Sequence, residues 1–143
     1  LRLGRRAEAL DDLTRLSEAA GDPGVDVAAR LAVARLNNDQ GALERARAEA
    51  AAFMESVYAQ YELGLSYAAQ NDYAAAARAF DRCTEIAPAF AYAYYQSALT
   101  YDRLNRPDLM ANRFDRFTRL APNAPERPQV EAILRPVGGR PNP

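Results

Sequence analysis

The side chains able to do covalent or metal chemistry are few. The chain has no histidine and a single cysteine, Cys83. Without imidazole there is no Ser/His or Cys/His pair to activate a nucleophile, and no nitrogen ligand for zinc. One thiol forms neither an intrachain disulfide nor a thiolate cluster. Between Phe80 and Ile86 it reads as a small buried filler rather than a reactive group. The phosphate-cradling loops G-x-x-x-x-G-K-[ST] and G-x-G-x-x-G are absent. Carboxylates are plentiful, but the helical pattern sends most of them, Asp11 and Asp12 included, to solvated faces. Neither an enzyme nor a cofactor nor a metal site is expected. What stands out is aromatic: residues 91–103, "AYAYYQSALTYDR", carry four tyrosines in thirteen positions. Their chemistry is that of a surface, a large ring with a hydroxyl for one hydrogen bond. On one helix they cannot all face the same way.

Composition narrows the classes of partner. All 18 basic residues are arginine, a bias that suggests a GC-rich bacterial genome, and the formal net charge is −1. Neutralising phosphates needs a clustered positive excess, so nucleic acid is not expected as a partner. The densest basic spots, Arg5–Arg6 and Arg113/Arg116/Arg119, read as solvated helix faces. No run approaches the ~18–20 apolar residues of a membrane span. No signal-peptide pattern is present, but Leu1 is not a start methionine. The chain is therefore expected to be a piece of something longer, and missing targeting information proves nothing. A cytoplasmic setting is expected ahead of a periplasmic one.

The elements that must position the tyrosines come in repeats. Shifted by 34 residues, Tyr58 meets Tyr92, Tyr61 meets Tyr95, Tyr67 meets Tyr101, Phe80 meets Phe114 and Pro88 meets Pro122. The dipeptides Asp81-Arg82 and Ala87-Pro88 meet Asp115-Arg116 and Ala121-Pro122. Residues 57–90 and 91–124 are thus two repeats. In each the apolar period is helical: Gln60, Leu63, Gly64, Tyr67 and Tyr94, Ser97, Ala98, Tyr101 fall at i, i+3, i+4, i+7. Turn signals follow at Gln70-Asn71-Asp72 and Asn105-Arg106-Pro107. Second apolar sets come next, with Ala76, Ala77, Phe80, Cys83 and Met110, Ala111, Phe114, Phe117, and Pro88 and Pro122 stop these helices. Each repeat is helix–turn–helix.

The first repeat resembles the tetratricopeptide pattern W-x2-L-G-x2-Y…A-x3-F…P. It reads Gln60, Leu63, Gly64, Tyr67, Ala76, Phe80 and Pro88, departing only at the tryptophan place. The second reads Tyr94, Ser97, Ala98, Tyr101, Met110, Phe114 and Pro122. The resemblance implies an all-α fold, a right-handed solenoid of antiparallel helix pairs. Its repeat core would be Leu63, Gly64, Tyr67, Ala76, Phe80, Pro88, Tyr94, Ala98, Tyr101, Phe114 and Pro122. Segment 4–24 reads as the second helix of a partial repeat ending at a Gly21–Gly24 stop. Segment 25–56 reads as a degenerate repeat, with Val27, Leu31, Ala34, a turn at Asn37–Gly41, then Leu43, Ala46, Ala50 and Phe53. A strict 34-residue shift would bury Asp26 and Arg30 there, so a shift shorter by one or two fits better. Residues 125–135 read as a capping helix, with Asn123 and Glu126 as a capping box and Val130, Ile133 and Leu134 on one apolar face. Residues 136–143 read as a flexible tail.

At ~100° per residue, Tyr94, Ala98 and Tyr101 share one stripe, while Tyr92, Tyr95, Leu99 and Asp102 share another. The counterparts of the second stripe are Tyr58, Tyr61, Leu65 and Ala68. In tetratricopeptide arrays that side of each first helix lines a concave groove for extended peptides or partner helices. The resemblance thus implies a protein-interaction module with groove residues Tyr58, Tyr61, Leu65, Tyr92, Tyr95, Leu99, Asp102 and Arg103. Lysine is absent, so a clamp for a terminal carboxylate is not expected. Truncating Tyr61 or Tyr95 is expected to cost binding and little stability. Two other classes stay open: self-assembly through an apolar edge at Leu10, Leu13 and Leu16, and a docking domain of a larger enzyme.

Overall fold

In the computed structural model, which describes residues 22–135, seven α-helices follow one another and no strand occurs among those residues. They are α1 (Pro23–Leu36), α2 (Gln40–Ala51), α3 (Val57–Ala69), α4 (Tyr73–Ile86), α5 (Ala91–Arg103), α6 (Pro107–Leu120) and α7 (Arg127–Leu134). The reading of 4–24 as a partial repeat lies outside the described residues up to Gly21. Gly24 is no stop: it is buried in the first turn of α1, one residue after Pro23, whose fixed φ suits that place. A Cβ on Gly24 would come within 2.4 Å of the Ser56 hydroxyl, so the start of α1 lies against the start of α3.

Three hairpins, α1/α2, α3/α4 and α5/α6, close on short turns with an asparagine in the left-handed region: Asn38 (φ 54°), Asn71 (φ 63°) and Asn105 (φ 56°). Asparagine is one of the few residues besides glycine that adopts this conformation cheaply. The following residue then caps the second helix in two cases. Asp39 accepts from the Ala42 N–H at 3.1 Å and Asp72 from the Ala75 N–H at 3.3 Å. In the third, Arg106 offers no side-chain cap and Pro107 opens α6 instead. The first helices start on Asp22, on Ser56 and on Phe90, which gives no capping hydrogen bond.

Alanine packing holds the first two hairpins together. Val27, Leu31, Ala34, Leu43, Ala46, Ala50, Ala59, Leu63 and Ala79 form one buried cluster. A second, around Ala98, Phe114, Phe117 and Val130, joins α5, α6 and α7. Gly64 lets α3 and α4 approach: a Cβ there would lie 2.6 Å from the fully buried Phe80 ring. First helices touch in succession, α1 on α3 and α3 on α5, whereas the backbones of the second helices α2, α4 and α6 stand apart, α4 and α6 meeting through the Arg113–Asp81 pair. The array therefore bends, with the first helices on its inner side.

Several expected details differ. Asn123 and Glu126 make no capping box: α7 begins at Arg127, with Glu126 itself as its uncapped N-cap residue and Pro128 in the first turn. Val130 is buried, but Ile133 is 49% exposed, so the cap's apolar face is only partly covered. Pro88 and Pro122 are exposed turn residues rather than core, and Tyr67, Tyr94 and Tyr101 are half-buried. Asp26 and Arg30 are both exposed, and Val27 and Leu31 take the places of Ala59 and Leu63, 32 residues on.

Candidate functional site

The inner stripe is built from helical spacing on α1, α3 and α5. Its rows run across the three helices: Asp26, Tyr58 and Tyr92; Ala29, Tyr61 and Tyr95; Val33, Leu65 and Leu99. Exposure is uneven along them. Tyr58 is 41% exposed, Tyr92 37%, Leu99 39% and Val33 43%, while Leu65 is half-buried.

The middle row is structural as well as superficial. Tyr61 meets Phe80 edge-on at 5.7 Å between centroids and Phe90 at 5.0 Å. Burial is the main cause that pushes its hydroxyl from 10 up to about 12, against a hydrogen bond with Gln96 of α5 that works in the other direction. Tyr95 meets Phe114 at 5.9 Å and Phe117 at 5.0 Å. Truncating either ring therefore removes core packing, and the expectation that Tyr61 and Tyr95 carry little stability is corrected. Buried phenylalanines on the second helices, Phe80 and Phe114, reach through to the inner side and fix them.

Tyr92 is held at its tip. Its hydroxyl donates to Glu126, 2.7 Å from one carboxylate oxygen and 3.2 Å from the other. This hydrogen bond is the largest cause raising the phenol to about 12. Arg103 is not on the floor beside Asp102: its guanidinium lies over the Tyr73 ring of α4 at 5.8 Å. Asp102 is exposed and free of ion pairs among the described residues.

The other expected tyrosines mark the joints between helices. Tyr94 donates to the Pro88 carbonyl at 3.0 Å, with Arg116 over its ring. Tyr101 donates to Asp81, which also accepts from Ser97 at 2.8 Å and from Arg113 at 3.3 Å. Asp81 thereby ties α4 to α5 and α6. Burial and that carboxylate both push the Tyr101 hydroxyl upward. Between α1 and α3, Arg35 pairs with Glu62 at 3.2 Å; burial raises the Glu62 carboxyl against the pull of the arginine. Cys83 is fully buried, lies 3.5 Å from the Val57 carbonyl, and is pushed by burial to about 12. A thiol so placed is a filler, not a nucleophile.

Sequence reasoning missed three participants. Val33 was findable, because it precedes Leu65 by the same 32 residues that separate Val27 from Ala59. Asp26, at the Tyr58 place, follows from the same shift. Glu126 gave no signal, since its role depends on where α7 docks. Among the described residues no group of three or more His, Cys, Asp or Glu side chains could hold a metal ion, and no helix is long and apolar enough to cross a membrane.

Compared with known families, residues 57–90 match the tetratricopeptide repeat. No curated protein matches the chain.

Proposed function

We propose that this chain, a tetratricopeptide-repeat protein by its matched unit and its all-α repeat architecture, holds a peptide segment or partner helix against the inner face of α1, α3 and α5. Repeats of this family generally mediate protein–protein interactions and are typically not enzymes. The observation that carries the reading is where the apolar exposure falls. Six large hydrophobic side chains stand out to solvent among the described residues, and four of them, Val33, Tyr58, Tyr92 and Leu99, lie on these three helices. Exposed apolar patches on monomeric folds mark interaction sites. Each ring buries a large area for two side-chain torsions, which suits a recognition surface. A contact of this extent fits a dissociation constant in the micromolar range, about −8 kcal/mol.

Site-specific photocrosslinking in the native host tests it. A photoreactive residue at position 99 should capture a partner that one at the exposed Arg78 position of α4 does not. Capture from position 78 with none from position 99 would move the binding surface to the outer side and end this reading.

A second reading, stacking between copies, is favoured by one feature. An open recess of about 440 Å³ lies between α1 and α2, walled by Ala29, Val33, Ala42 and Ala46 and spanned by the Arg30–Glu49 pair. Light scattering over a concentration series separates it from the first: a mass that rises with concentration is its signature.

A further inference from the structure

We infer that the segment held on the inner face is an apolar stretch flanked by arginine or lysine; this rests on the groove reading above and adds the ligand's charge. The charges on the three helices that form the face are unevenly committed. Their arginines are all engaged within the fold: Arg30 with Glu49 at 2.5 Å, Arg35 with Glu62 at 3.2 Å, and Arg103 over the Tyr73 ring. α3 has no arginine at all. Of their carboxylates, Glu62 is spent on Arg35, but Asp26 and Asp102 are exposed and have no ion-pair partner among the described residues. Glu126 adds a third negative charge at the Tyr92 end, satisfied so far only by a phenol.

Helix stability explains one of these and not the other. Asp26 lies in the first turn of α1, where the helix dipole favours an anion. Asp102 lies in the last turn of α5, where the same dipole disfavours one. Its position continues the stripe of Tyr92, Tyr95 and Leu99, three residues beyond the leucine. The inner face therefore offers an apolar strip with uncompensated negative charge at both sides and no uncommitted positive charge. Such a surface rejects acidic segments and selects basic ones.

The test is selection of a random dodecamer phage library on the full chain at low salt, with the Tyr58→Ala/Tyr92→Ala double variant as counter-target. The expected winners carry aliphatic or aromatic residues flanked by Arg or Lys. Against the winning peptide, Asp26→Asn/Asp102→Asn should weaken binding by about three- to tenfold, as two exposed ion pairs would. That difference should vanish in 0.5 M salt, by the ~10 Å screening length that already applies at 0.1 M. Both substitutions are at exposed positions, and an unchanged circular-dichroism melt verifies the fold. Winners flanked by Asp or Glu, or indifferent to the two asparagines, would overturn the charge assignment while leaving the groove reading intact. Winners that bind the tyrosine-deleted variant equally well, or no enrichment over a blank support, would overturn both. Self-association lost in Tyr92→Ala would make a second copy the occupant and likewise overturn it.

Discussion

The role of each tyrosine is decided by what stands behind it. Tyr61 and Tyr95 rest half-buried on phenylalanines of the core; Tyr92 also meets the core ring of Phe117 at 5.3 Å but, like Tyr58, stays exposed. Tyr61→Ala should therefore cost about 3 kcal/mol in urea unfolding, as a ring truncation against a core does. Tyr58→Ala should cost less than about 1 kcal/mol, in the range of surface changes. Gly64→Ala sets two effects against each other: alanine gains up to about 1 kcal/mol in helix propensity. Against it, the added methyl would lie 2.6 Å from the ring of Phe80, which is fully buried. Overpacking of about 1–3 kcal/mol wins, so the variant should melt lower. Tyr61 also predicts behaviour in alkali. Its folded value of about 12 lies above the ordinary 10, so its contribution is complete below pH 10 and is lost as pH rises through 12. In a phenolate absorbance titration Tyr61 and Tyr92 should both ionise late, and Tyr61→Phe should remove one ring's share of that late step.

Between elements, stability is concentrated in turns and joints. Asn71→Ala should cost about 1 kcal/mol, because φ of 63° is strained for alanine, whereas Asn71→Gly should be close to neutral by the same unfolding assay. At the α1–α3 joint, Arg35→Met strands a carboxylate that is only 12% exposed, at about 3 kcal/mol. Glu62 is raised in the fold, so it takes up a proton readily as the pH falls, and the Arg35→Met defect should shrink in acid. How far this was legible in the sequence follows from the same places. The hairpins α3/α4 and α5/α6 were readable because every element keeps its length, so a 34-residue shift carries Tyr61 onto Tyr95 and Phe80 onto Phe114. The first hairpin blurred because α1 is 14 residues long and α3 is 13. Its start keeps the 34-residue shift, Asp22 to Ser56, while its turn is displaced by one, Asn38 to Asn71, and its buried stripe by two, Leu31 to Leu63. The Asp81 hub was hidden for another reason. Asp81-Arg82 and Asp115-Arg116 look alike, but only Asp81 has a following hairpin that places Ser97, Tyr101 and Arg113 around it. Docking also decided the cap: Glu126 was read as a box partner, and it serves Tyr92 instead.

At the scale of the molecule, the first helices touch in series, and the backbones of the second helices stand apart. That bend turns three separate helical stripes into one surface, and it is why exposed side chains as far apart in sequence as Val33 and Leu99 share a role. The most direct measurement is a two-dimensional 1H–15N correlation spectrum of the labelled chain, titrated with a peptide selected on it. The shifts should concentrate at Val33, Tyr58, Tyr92, Leu99 and Asp102, with α2, α4 and α6 silent on their outer faces. Shifts confined to those outer faces, with the five inner residues unmoved, would contradict it.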